Sequence, residues 1–267
     1  MKKSYARFLK SKNLSENSCR SYLWAVEFYK SHYRVFTEKK LAEYRAFLQA
    51  HYKPETVNLR IIAINKYLKY IGKEKLSLPF IKTQQKKFLE NVISNADYEF
   101  LKESLRKHED EKWYFIVWYL AATGMRISEL VQLKIEHVCA GYVDMYSKGN
   151  KLRRIYIPKT LHAESIAWLK AHGRKSGYLF LNRQGNALTP RGIAAQLHIF
   201  AKKYGINEKV VHPHSFRHRF AKNFLEKYND IALLADLLGH ESIETTRIYL
   251  RRSATEQQVL VDNVVTW

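Results

Sequence analysis

The chain has 267 residues, room for two domains, and its 46% hydrophobic, 13% aromatic and 27% charged composition is that of a folded globular protein. With 10 Gly, 5 Pro and no internal repeat it is neither fibrous nor low-complexity. Lys and Arg number 46 against 25 Asp and Glu, a net charge of +21 that points to a polyanionic partner, because neutralised phosphates release their counterions. The excess is uneven: residues 1–90 hold 20 basic and 7 acidic side chains. The longest apolar run, Trp113 to Ala122, is ten residues and too short to span a membrane. No apolar segment follows the basic start, so a secretory signal is not expected. Cys19 and Cys139 stand apart without metal-type spacing, as small buried side chains in a reducing compartment would. The expected location is cytoplasmic and nucleoid-associated.

In chain order, residues 1–75 read as a small basic helical domain. A stripe of Cys19, Tyr22, Val26, Tyr29 and Tyr33 begins behind a Ser15 cap. A shorter helix covers about residues 39–50. Pro54 opens another, in which Val57, Ile61, Ile64, Leu68 and Ile71 keep a helical rhythm until Gly72. Arg60, Lys66 and Lys69 fall off that stripe and are expected to face outward, toward DNA. Residues 76–92 lose the pattern and read as a basic linker, with Lys82, Lys86 and Lys87 as further DNA contacts.

Residues 93–267 form a second, mainly α domain. Helices are expected over about 96–106, through the all-apolar stretch from Trp113 to Leu120, and over 126–134. Two short strands, 142–147 and 152–157, flank the turn Gly149-Asn150 as a hairpin. Helices resume over 159–171, 190–203, 214–227 and 231–238.

Chemistry concentrates in four segments of this domain. In Thr123-Gly124-Met125-Arg126-Ile127-Ser128-Glu129-Leu130, an Arg at a helix start presents a bidentate fork, with Glu129 placed to orient it. The hairpin tip Ser147-Lys148-Gly149-Asn150-Lys151 puts a Lys on a tight turn. In His212-Pro213-His214-Ser215-Phe216-Arg217-His218, His214 and Arg217 share a helix face and can reach one phosphate, with Arg219 close behind. The spacing of His214 and His218 also suits zinc, but Arg217 and Arg219 would repel a cation and no carboxylate or Cys accompanies them. In Leu238-Gly239-His240, Gly239 ends a helix, and Tyr249 follows His240 by nine residues.

Together these segments resemble the tyrosine recombinase (phage-integrase-like) family, and within it the compact two-domain Xer type. The match runs from Thr123 to Tyr249, with six functional positions in the family's order: Arg126, Lys148, His214, Arg217, His240 and Tyr249. The resemblance implies a helical core-binding (SAM-like) domain joined to an α/β catalytic domain with a small antiparallel sheet, as a C-shaped clamp around DNA. It implies Tyr249 as the nucleophile, Arg126 and Arg217 as a clamp on the scissile phosphate, and Glu129 as support. Lys148 is the expected acid for the leaving 5′-hydroxyl, His214 the base and His240 a donor to the phosphate.

A 3′-phosphotyrosyl intermediate and a Holliday junction follow from the same resemblance. So do a homo-tetramer on two synapsed sites, accessory proteins, and no need for metal, ATP or other cofactor. The tail, about 253–267, is rich in Val and ends in Trp267; docking onto a neighbouring protomer and packing on its own domain both remain open. Alternatives are a type IB topoisomerase, a DNA-binding regulator without catalysis, and a metal-dependent nuclease, for which the carboxylate clusters are missing.

Overall fold

Residues 2–82, 91–146, 152–240, 242–250 and 261–265 are described by the computed structural model. The chain divides into two units, Met1–Gln85 and Lys86–Trp267. Lys86, Lys87, Lys148, the Gly149-Asn150 turn and most of the tail lie outside the described residues.

In the first unit, α1 (Lys2–Ser11), α2 (Glu16–Tyr33), α3 (Glu38–His51) and α4 (Pro54–Tyr70) enclose one core. Ser15 and Thr37 cap α2 and α3 by accepting the backbone N–H of Ser18 and Lys40, and Pro54 starts α4 where its missing N–H costs nothing. The core is largely aromatic: Tyr29 stacks on Phe36 at 4.5 Å and meets Tyr44 edge-on at 5.0 Å. Helix α1 lies ahead of the stripe read from the sequence, and buries Tyr5 and Leu9, one turn apart.

The chain after α4 carries no helix beyond a single 3-10 turn, Glu74–Leu76, yet it is fastened. Asn65 donates to the Leu78 carbonyl and accepts its N–H, both at 2.8 Å. Asn58 does the same for Ile81, both at 2.9 Å. Seven residues separate the two asparagines, so they share a face of α4 and act as a surrogate strand edge for the segment leaving it.

The second unit is mainly α with one two-stranded antiparallel sheet, as the sequence reading expected. Its elements are α5 (Asn95–Lys107), α6 (Glu111–Thr123), α7 (Ile127–Leu130), α8 (Ile135–Ala140), β1 (Tyr142–Tyr146), β2 (Leu152–Tyr156), α9 (Lys159–Ala171), α10 (Pro190–Lys203), α11 (Pro213–Tyr228), α12 (Ile231–Leu238) and α13 (Ile243–Arg247), then a 3-10 turn, Ile248–Leu250. Helix α6 is the buried centre, packed against α5 and α11.

The strands pair Tyr142 with Tyr156 and Tyr146 with Leu152. Val143, Met145, Arg153 and Ile155 point inward, while Arg154 and Asp144 make a two-point ion pair outside.

Two expectations change. The helix expected over 126–134 is only Ile127–Leu130, because Ile135 N–H donates to Gly177 and Leu133 accepts from Leu179, drawing residues 133–135 into a bridge with another loop. Cys139 is exposed; only Cys19 is buried. No described helix is long and apolar enough to cross a membrane.

Candidate active site

The site forms where four elements end or cross, and it is organised by the C-terminus of α12. Gly239 closes that helix at φ +62, and any β-carbon there would collide with the Arg153 side chain, so both conformation and space demand glycine. Three successive carbonyls at this end each accept from a different arginine. Arg153 donates to Leu237, Arg217 to Leu238 at 2.7 Å, and Arg126 to Gly239 at 3.2 Å. The negative end of a helix dipole thus orients three cations. Gly124 plays the matching part at the end of α6: its φ is +60, its carbonyl accepts from Arg217 at 2.7 Å, and a β-carbon would stand 2.5 Å from the Phe220 ring.

Glu129 is the carboxylate among these cations. It accepts the Arg126 backbone N–H at 2.6 Å and the Arg126 guanidinium at 3.1 Å, and pairs with Arg153. Burial opposes its charge. The Arg153 guanidinium, the Arg126 N–H and Arg126's own charge outweigh burial and hold it below the ordinary glutamate range. Arg153 was not among the residues anticipated, because it occupies an inward strand position where the alternation calls for an apolar side chain.

Arg217 is buried, and burial with the charges of Arg126 and Arg153 lowers it to about 10, leaving it protonated at neutral pH. It also donates to His240 Nε2 at 3.0 Å. A guanidinium can only donate, so Nε2 accepts, and Nδ1–H donates to the Thr246 hydroxyl at 2.7 Å. Burial, then the nearby arginines, push His240 down to about 4, so the ring is neutral. Donation from Nε2 to a phosphate therefore requires the proton to move across the ring, which Thr246 permits because its hydroxyl can donate as well as accept.

Tyr249, on the 3-10 turn, reaches into this group from the other side. Its hydroxyl lies 3.0 Å from His218 Nδ1, and its ring lies parallel to His240 at 6.5 Å. Burial raises the phenol above its ordinary range, and the charges of Arg217 and Arg126 only partly offset this. The cations thus do not by themselves ionise Tyr249. His214, expected to be the base, is exposed one turn before His218 on α11; the hydroxyl's bond goes to His218 instead. His218 was legible in the sequence only as half of the discarded zinc spacing.

Comparison with known proteins decides what this geometry belongs to. A model of the phage integrase family matches residues 91–256. The tyrosine recombinase XerA of Pyrococcus furiosus is 32% identical, over 98% of this chain and 94% of that protein. This chain belongs to the phage integrase family. It is a tyrosine recombinase of Xer type. The tyrosine recombinase XerD of Listeria innocua is 38% identical over 49% of this chain and 46% of its own. Among solved structures, the XerH site-specific recombinase bound to palindromic difH substrate, a post-cleavage complex, aligns with a TM-score of 0.71 at 24% identity, covering 97% of this chain and 82% of that one. A lambda integrase dimer bound to a COC′ core site aligns with a TM-score of 0.72 at 13% identity, over 100% and 77%. These establish a shared fold.

The DNA-contact residues expected from the sequence sit differently. Arg60 does not face outward: its guanidinium packs 4.1 Å from the Trp24 ring centre and 4.4 Å from Tyr52, with Nε and Nη1 buried. Arg219 lies 3.8 Å over the Tyr98 ring and 3.7 Å from Glu99. Lys69 is exposed and paired with Glu74, Lys66 is half-buried, and Lys82 is exposed.

Proposed function

We propose that this recombinase cuts and rejoins double-stranded DNA at a specific site through a 3′-phosphotyrosyl bond on Tyr249. The observation that carries this reading is the approach of Tyr249 to Arg217 and Arg126, two of the three arginines hung from the end of α12. Three guanidiniums face one buried carboxylate, Glu129, a surplus of two positive charges. A phosphodiester brings one negative charge, and its pentavalent transition state brings about two. The match is therefore best where charge develops, which is the condition for rate acceleration.

Arg126 and Arg217 hold the two non-bridging oxygens, His214 and His240 border the phosphate, and Lys148 protonates the leaving 5′-hydroxyl. Arg153 and Glu129 act through Arg126 as positioning residues. The linkage conserves the phosphodiester bond energy, so a 5′-hydroxyl from a partner duplex can reverse it through a Holliday junction with no energy source. This predicts two protomers per site and four in the synapse, acting in the nucleoid with accessory proteins where directionality demands them. The first unit serves as the core-binding domain. In the tail, Val261, Val264 and Val265 are exposed, which favours docking on a neighbouring protomer; deleting residues 255–267 then abolishes synapsis while single-site cleavage persists.

The test is covalent trapping in EDTA. Protein is incubated with nicked duplexes drawn from the DNA flanking its gene and resolved on a denaturing gel. A protein–DNA adduct that disappears in Tyr249→Phe supports the reading, and its persistence there refutes the nucleophile.

A further inference from the structure

We infer that His218 is the group that takes the proton from Tyr249 as it attacks and returns it when the strand is rejoined. The inference rests on the recombinase reading of the site. Its ground is geometric: His218 Nδ1 lies 3.0 Å from the Tyr249 hydroxyl, and the two rings are 5.5 Å apart. Both sit among packed side chains. Arg217 precedes His218 on α11, and Tyr249 packs against Ala221, Leu225, Leu234 and Leu238. The proton-accepting nitrogen is thus fixed on the attacking oxygen before DNA arrives, within the reach a general base needs.

The charges around the pair are consistent with this role. His218 faces His212, His214 and Arg217 along α11, and Tyr249 and His240 across the site. Burial first, then His214, His212 and Arg217, lower its affinity for a proton to about 4, so the ring is neutral at physiological pH and able to accept. With the site empty, that order of acidities keeps the proton on Tyr249. A bound phosphodiester places negative charge beside Arg217, which offsets one of the cations holding His218 down. Formation of the O–P bond then makes the phenol strongly acidic.

The step balances. The Tyr249 O–H electron pair forms the bond to phosphorus, the proton passes to Nδ1 of a ring already protonated on Nε2, and the P–O5′ bond breaks with its electrons going to the leaving oxygen, which takes a proton from the acid of the proposed reaction. In rejoining, the conjugate base of that acid takes the proton of the 5′-hydroxyl as its oxygen attacks phosphorus, and Nδ1–H restores the phenol.

Two measurements test this. In single-turnover cleavage of a nicked duplex that traps the wild-type protein, His218→Asn, whose amide can accept a hydrogen bond but no proton, should slow adduct formation by about 10²–10⁴-fold. DNA affinity should be unchanged. Replacing Tyr249 in that variant by a polyfluorinated tyrosine, whose phenol ionises near neutral pH, should recover at least tenfold; a purely structural defect would not respond. Cleavage at the wild-type rate, or no recovery with the acidic tyrosine, overturns the assignment.

The second measurement needs no DNA. The fluorine resonance of 3-fluorotyrosine at position 249 should shift in His218→Asn and not in His214→Asn; the opposite pattern transfers the role to His214. Failure of every flanking duplex to yield an adduct, with the fluorine shift intact, would count against the recombinase reading and leave the His218–Tyr249 hydrogen bond standing.

Discussion

In the first unit the buried core is apolar and phenolic, built around Tyr29, Tyr44 and Tyr67. In the second, Thr123, Glu129, Arg153, Ser165, Ser215, Arg217 and Thr246 are buried as well, and among the described residues these are the buried polar or charged side chains apart from tyrosines. Four of the seven, Glu129, Arg153, Arg217 and Thr246, belong to the network around Tyr249 and the groups that hold it. The contrast separates two uses of an interior. One unit fills space, and the other suspends charge where water cannot screen it, at the cost of desolvation that only close pairing offsets.

The sharpest way to break the comparison is at the charges proposed to act on phosphate. Arg217→Ala should reduce adduct formation by about 10²–10³-fold, the usual loss for one donor to a developing anion. It should also lower the melting temperature, because the Gly124 and Leu238 carbonyls both lose their donor. An active, equally stable variant would show that the phosphate is held elsewhere.

Next in size is the pair beneath them. Arg153→Met leaves Glu129 buried beside Arg126 alone and should destabilise the second unit by about 3–5 kcal/mol. Adding Glu129→Leu should return much of that stability without restoring cleavage. Ile64→Ala, in the first unit's core, should cost a comparable amount, about 2–5 kcal/mol, through its cavity. No single charge substitution should rescue it. Chemical unfolding of the three variants distinguishes paired charge from packed volume.

Acid should separate the units further. His218 and His240 are lowered from 6.5 to about 4, and Glu129 is lowered from 4.5. Depressed folded-state values mean the unfolded chain binds protons first. Stability from the two histidines is therefore full above pH 6.5 and declines as pH falls toward about 4, with Glu129 adding to the loss below 4.5. The first unit's His32 and His51 are exposed. Calorimetry from pH 7 to pH 4 should move the second unit's transition down well before the first's, and His218→Asn should flatten the difference.

Arg126, Arg217, His240 and Tyr249 were legible because the chain writes them beside residues with strict backbone demands. Gly124 and Gly239 sit at left-handed φ values and against side chains that leave no room for a β-carbon, so the spacing around them is constrained. Helices α9, α10 and α12 were legible to the residue, since a Pro158-Lys159 entry, a Thr189-Pro190 start and a Gly239 stop mark their ends. What escaped was fixed by distant partners. Arg153 is defined by Glu129 and Leu237, the break after Leu130 by residues 177–179, and the inward turn of Arg60 by Trp24 and Tyr52. Local periodicity carries none of this. His218 escaped for another reason: its spacing from His214 fits zinc ligation as well as contact with a tyrosine thirty-one residues on.

The smallest predicted effect concerns the segment leaving the first unit. Asn58 and Asn65 each give a two-point amide contact to its backbone, so Asn58→Ala and Asn65→Ala should each cost about 1 kcal/mol. Amide hydrogen exchange reads this directly, because the Leu78 and Ile81 N–H groups donate to those side chains and to no helix. Exchange at Leu78 should accelerate in Asn65→Ala while Ile81 stays slow, and the reverse should hold for Asn58→Ala. If either substitution released both amides together, the segment would behave as one cooperative strap. Independent release would mean that two separate contacts hold the segment after α4, each acting on its own residue.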